Sequence, residues 1–177
     1  MKKNESSRYT IFSSIILSIA MLFSIAYAGV EPAPPQIAAA LFLKLCTFEK
    51  NISGSGKDLN VYVVGSPDLL KAIETTKGIA IGKSKVGAVS GGSGAPASKP
   101  DIIIIDDESK LDEITAYSRA NSVMTFTNNP DLVAKGVSLG VGVGDDKKPK
   151  IMINLTATNE ENLNFNAAIM KVAQQIK

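Results

Sequence analysis

From residue 36 to residue 48 the chain sets Gln36, Ala40, Lys44 and Thr47 on one stripe, while the positions between them are Ile, Leu, Phe, Ala and Cys. Apolar residues recurring every three to four positions predict an amphipathic helix. The rhythm then changes. Residues 59–64 (LNVYVV) are nearly all apolar over the length of a strand, the pattern of a strand covered on both faces. Ser66-Pro67-Asp68 predicts a helix start: Ser as N-cap, Pro where no N–H is needed, Asp at the positive end of the helix dipole. Leu69, Leu70 and Ile73 form the inward face of that helix. Residues 78–89 hold no clear period apart from a short strand at 86–89, and SGGSGAPAS at 90–98 reads as a flexible loop.

The second half repeats this alternation. Asp101-Ile-Ile-Ile-Ile105 is a buried strand, residues 109–117 a helix with Leu111, Ile114 and Tyr117 inward, and residues 123–127 another strand. Ser109 with Asp112 resembles a capping box. Asn129-Pro130-Asp131-Leu132 repeats the start signal seen at Ser66. Residues 137–143 and 150–155 alternate and flank Gly144-Asp-Asp-Lys147, which predicts an antiparallel hairpin. Thr158 with Glu161 is expected to cap a short helical turn. Leu163 and Phe165 lie in an extended piece, and Asn166 caps a last helix with Ile169, Met170 and Val172 inward. Strands alternating with helices and closing on a hairpin predict an α/β, Rossmann-like three-layer sandwich: a mostly parallel sheet with an antiparallel edge hairpin.

The first 28 residues belong to none of this. Lys2, Lys3 and Arg8 form a basic start, residues 11–25 are apolar, and Ala26-Tyr27-Ala28 is a small-residue cleavage signal. That sequence is the layout of a secretory signal peptide, shorter than a membrane span needs. Gly29 to Pro35 (GVEPAPP) is then an extended lead-in, and residues 36–177 form one α/β domain. Removing the signal takes away Lys2, Lys3, Arg8 and Glu5, which together carry the whole formal net charge of +2. The neutral remainder holds one arginine, Arg119, and offers no electrostatic footprint for nucleic acid. A lone cysteine, Cys46, cannot form an intramolecular disulfide and is expected to be an inert buried thiol, so packing has to hold an exported chain together.

Gly54-Ser55-Gly56-Lys57 invites comparison with a phosphate loop. That loop needs a glycine five positions before the second one, and Asn51 stands there; it needs Ser or Thr after the lysine, and Asp58 stands there. The helix–loop–strand order is also reversed, so the glycines are assigned to a helix-to-strand turn. The chain has no histidine, which removes the commonest general base and metal ligand. Asp106-Asp107-Glu108 at the end of the isoleucine strand could hold Mg²⁺, but helix capping accounts for it, and no cofactor or metal is expected. Ser66, Asp106, Thr127 and Asn128 all fall at carboxyl ends of expected parallel strands, where open α/β sheets bind ligands, and are the candidates for a small-ligand crevice. Lys147, Lys148 and Lys150 read as a solvated hairpin tip.

KGVSLGVGVGDDKKPKIMINLTATNEENLNFNAAIMKVAQ, residues 135–174, resembles the closing signature of the YfiR-like family: Gly136, a hairpin, an Ile153-Asn154-Leu155 strand, a polar turn, a Leu163-Asn164-Phe165 step and an apolar helix, Ile169 to Ala173. AAALFLKLCTFEKNI resembles the family's opening helix, LNVYVVGSPDLLKAI its first strand and turn, and DIIIIDD and VMTFTNNPDLVAKG its later strands. The chain departs from the family in ending its first helix Phe48-Glu49-Lys50-Asn51, without the usual aromatic-acidic-proline step, and in lacking the cysteines that pair in some members. The resemblance implies a non-enzymatic periplasmic regulator. It would bind the periplasmic sensor part of an inner-membrane signalling protein, a diguanylate cyclase or a sensor kinase, and could form a homodimer. Candidates for the partner surface lie on and beside the two terminal helices, Gln36 to Phe48 and Asn166 to Ile176: Lys44, Thr47, Phe165 and Lys171. The alternative is a periplasmic sensor that takes a small ligand in the carboxyl-end crevice.

Overall fold

The computed structural model describes residues 29–176; the signal-peptide reading of residues 1–28 lies outside them. The opening strand β1 (Val30–Pro32) leads into helix α1 (Pro35–Cys46), the short α2 (Lys50–Gly54), strand β2 (Asp58–Val64) and α3 (Pro67–Glu74). Strands β3 (Ala80–Ile81), β4 (Ser84–Gly92) and β5 (Ile102–Ile105) follow, then a 3-10 turn (Glu108–Lys110) running into α4 (Leu111–Asn121). The chain continues through β6 (Met124–Thr127), α5 (Pro130–Ala134), β7 (Leu139–Gly144), β8 (Pro149–Asn154) and α6 (Leu155–Glu160). It closes on a second 3-10 turn (Ala167–Lys171) and β9 (Ala173–Ile176).

All nine strands form one sheet of order β3-β4-β2-β5-β6-β7-β8-β9, with β1 pairing antiparallel to β7. Neighbours from β4 to β7 are parallel, β7 and β8 form the expected antiparallel hairpin, and helices cover both faces. The isoleucine strand shows why the sheet needs two helical layers. Side chains alternate across a strand, so Ile102 and Ile104 enter the core under α1 and α3 while Ile103 and Ile105 enter the core under α4. All four are fully buried, each contributing about 2 kcal/mol of apolar transfer. The capping signals act as expected: Ser66 Oγ accepts from Leu69 N–H (3.3 Å) and Asn129 Oδ1 from Asp131 N–H (3.1 Å), with Pro67 and Pro130 in the first turns. Gly54 to Lys57 make the expected helix-to-strand turn, with Gly56 at φ +70 and Lys57 paired to Asp101 (2.6 Å).

Four expectations are corrected. Residues 90–92 extend β4 instead of starting a loop, because they pair with Tyr62, Val63 and Val64 of β2. The capping box at Ser109 is replaced by Asp107, whose carboxylate accepts from both the N–H (2.9 Å) and the hydroxyl (2.7 Å) of Ser109. The hairpin is not the edge: β9 pairs parallel to β8 outside it. The last helix does not form. Ile169 is buried in a 3-10 turn, but Met170 and Val172 are exposed, and residues 173–176 gain ladder bonds to Ile151–Asn154 that a helix would forgo.

Candidate functional site

Three places on this scaffold combine concavity or exposure with chemistry. The first is the carboxyl edge of the parallel strands. Asp106 N–H donates to Val64 O (3.1 Å), which brings Asp106 beside Ser66. Burial holds the Asp106 carboxyl above its usual range, the Ser66 hydroxyl beside it pulls the other way, and neighbouring Asp107 adds to the rise. A cleft of about 420 Å³ opens here, lined by Ser66, Leu70, Gly91, Gly92 and Asp107. Asp106, Thr127 and Asn128 are not among its lining residues; Asp107 takes the place expected of Asp106. Thr127 is fully buried and its hydroxyl accepts from Asn129 N–H (3.0 Å). Asn128 clamps the lead-in: its carbonyl accepts from Ala33 N–H (2.8 Å) and its Nδ2 donates to Ala33 O (3.0 Å). The crevice therefore lies between β2 and β4, with Ser66, Ser93 and Asp107 as its polar side chains.

Gly65 shapes this edge. Its φ is +92, and a Cβ there would collide with the Asp107 side chain and come within 2.9 Å of its backbone nitrogen. Gly65→Ala should therefore cost about 2 kcal/mol or more, measurable as a lowered denaturation midpoint with an unchanged m-value.

The second place is the opposite, amino edge. A cavity of about 230 Å³ is lined by Glu49, Lys57, Lys99, Asp101, Glu161 and Asn162 around an apolar floor that includes Leu59 and Met124. Glu49 and Glu161 are both fully buried. The Glu49 carboxyl accepts from Ile52 N–H (2.6 Å) and Asn164 N–H (2.7 Å), tying α2 to the segment after α6. Glu161 is not the cap for Thr158 that its spacing suggested; Asn154 caps α6, accepting from Ala157 N–H (3.0 Å). Glu161 instead reaches under the sheet. One oxygen accepts from the Thr125 hydroxyl (2.7 Å) and the Ser118 hydroxyl (3.0 Å), the other from Thr125 N–H (3.0 Å) and the Ser138 hydroxyl. Burial pushes the Glu161 carboxyl above its usual range, and these hydrogen bonds pull it part of the way back. Sequence reasoning missed both glutamates. The one available signal was a glutamate immediately after an apolar helix, at Phe48-Glu49.

The third place is the outer face of α1. Gln36, Ala40, Lys44 and Thr47 are exposed as their stripe requires, and Ile37 beside them is 39% exposed. A shallow groove of about 720 Å³ runs between α1 and α3, lined by Ala40, Leu43, Ala72, Thr75 and Ile79, with Asp68 and Lys71 at its rim. Phe165 is half-buried against the core and bridges to Glu49 in a single β-contact, which sets it beside the end of α1. Lys171 is exposed on the 3-10 turn, not on a helix.

The chemistry these places offer is recognition. Burial pushes the Cys46 thiol far up, with Glu49 adding to the rise, so it is a poor nucleophile. Among the described residues, no three His, Cys, Asp or Glu side chains are grouped to hold a metal ion, and no helix is long and apolar enough to cross a membrane.

Comparison with known proteins places the chain. The profile of the YfiR/HmsC-like family matches residues 35–174. Nothing among curated proteins matches significantly. A solved structure of a conserved domain protein from Vibrio cholerae O1 biovar El Tor superposes with a TM-score of 0.59 at 15% identity, over 82% of this chain and 60% of that one. The ABC domain from Streptococcus pneumonia, solved in complex with L-Trp, is similar with a TM-score of 0.48 at 13% identity, over 81% of this chain and 60% of that one. The chain thus spans about 60% of the length of the solved structures it matches, and the first of them shares its fold.

Proposed function

The chain belongs to the YfiR/HmsC-like family, a family of periplasmic regulators of diguanylate cyclase signalling, and from that premise we propose that it is an exported, non-enzymatic regulator working by contact. Its partner is the periplasmic sensor part of an inner-membrane signalling protein, a diguanylate cyclase or a sensor kinase. The observation that carries this reading is the α1 face: an exposed stripe with Ile37, Lys44 and Thr47, beside an open groove against α3. Ile37 and Ile79 leave apolar surface open on this face, and an interface is built around apolar groups rimmed by charge. Chemistry is disfavoured by the want of any histidine and by the inert Cys46.

The test uses the chain from Gly29 onward against solubilised inner membrane. Retention of a signalling protein with a periplasmic segment is expected, reduced at least about tenfold by Lys44→Glu with Thr47→Arg. Both residues are exposed, so the fold should survive the change. A second reading, a small-ligand sensor, is favoured by the cleft at Ser66 and Asp107. It gains if no membrane protein is retained while a metabolite raises the melting temperature and Ser66→Ala abolishes that rise.

A further inference from the structure

The start of the folded chain is fastened in a way that its secondary structure does not need. β1 is three residues long and two of them are exposed, yet Gly29 before it is held against the hairpin tip. Gly29 O accepts from Asp145 N–H (3.0 Å), and a Cβ built on Gly29 would collide with the Asp145 carboxylate. The Asp145 side chain is therefore folded onto the Gly29 Cα, one bond from the Gly29 nitrogen and within a side-chain rotation of it. The same turn carries three lysines, but Lys150 is drawn to Asp146 (3.1 Å), and Asp145 forms no ion pair among the described residues.

Gly29 is also the residue that follows Ala26-Tyr27-Ala28. Cutting there adds water across the Ala28–Gly29 amide: the carbonyl carbon takes hydroxide, the nitrogen takes a proton, and at neutral pH the new amine binds a second proton. We propose that the Asp145 carboxylate receives the α-ammonium group created by removal of the leader, so that processing itself clips β1 onto β7. This inference rests on the export reading above. It also accounts for glycine at this position. Before the cut Gly29 has φ +98, a conformation that other residues adopt at a cost, and any side chain would displace the carboxylate. Asn128 completes the strap by gripping Ala33 through both its backbone and its amide.

The experiment has two parts. N-terminal sequencing of the exported protein should read Gly-Val-Glu-Pro; any other start overturns the proposal for the natural chain and the cleavage reading with it. Separately, the chain from Gly29 is prepared by cutting a fusion, and its α-amine is titrated by NMR with and without Asp145→Asn. The amine should titrate about half a unit higher with Asp145 present, and the difference should collapse in 1 M salt. Both groups are solvent-accessible, so the effect is modest in size but specific in place. Identical titration in the two chains overturns the capture, whatever the leader does.

Discussion

Glu161→Ala is expected to destabilise the protein by about 3–5 kcal/mol, among the largest costs any single side chain here would carry. The carboxyl is the common acceptor for Ser118 on α4, Thr125 on β6 and Ser138 just before β7, and it joins Ser118 to a Thr125–Ser138 pair that is itself hydrogen-bonded (2.9 Å). Removing it leaves the Thr125 N–H buried without a partner and opens a void beside Met124. The sign of the pH dependence follows from the direction of the shift. The folded-state carboxyl sits above its ordinary value of 4.5, so its stabilising contribution is full below that value and is lost as pH rises through the raised one. The protonated form fits the network: Ser118 Oγ lies 3.0 Å from Thr115 O and can turn its one proton there while accepting from the acid. Glu161→Gln, neutral at every pH, should keep most of the stability and lose that slope. Urea titrations at pH 4.5 and 7.5 check it; a wild-type protein that gains stability over this interval through Glu161 contradicts the assignment.

Phe126→Ala is expected to cost a similar 3–5 kcal/mol, for a different reason. Phe126 is fully buried at the centre of the sheet and meets Phe42 of α1 edge-on, with ring centroids 5.4 Å apart and planes at 61°. That geometry adds about 1 kcal/mol beyond burial and is the main aromatic tie between α1 and the strands. The variant should lose partner retention along with stability, because the Lys44–Thr47 stripe is positioned by the helix that Phe42 anchors. Phe126→Leu refills most of the volume and should cost under half as much. Denaturant midpoints of the two variants, with hydrogen exchange of α1 amides, separate loss of packing from loss of the helix.

What could be read from residues alone was what is decided locally. Ser66-Pro67-Asp68 and Asn129-Pro130-Asp131 mark helix starts because each cap bonds within three positions of itself. The isoleucine strand declares itself because burial on both faces leaves no polar position. The last strand did not, since the spacing of Ile169, Met170 and Val172 fits a helix, and the choice falls to pairing with Ile151–Asn154 some twenty residues earlier. The buried glutamates were invisible for the same reason. Thr125 lies 36 positions from Glu161 and Asn164 lies 115 from Glu49, and no local pattern marks either partner. At the carboxyl edge Ser66 lines a cleft. Thr127 is instead spent on holding Asn129 two residues on, and Asn128 on the strap at Ala33, a contact that only the folded path of the lead-in creates.

The central claim is contact with a membrane signalling protein outside the cytoplasm, and a site-specific crosslink in living cells tests it most directly. A photo-reactive residue at Thr47 should join the processed chain to one inner-membrane protein through that protein's periplasmic segment, and the same probe at Asp112, on the opposite layer, should not. A chain that keeps its leader inside the cell, or that crosslinks equally from both positions, contradicts the account.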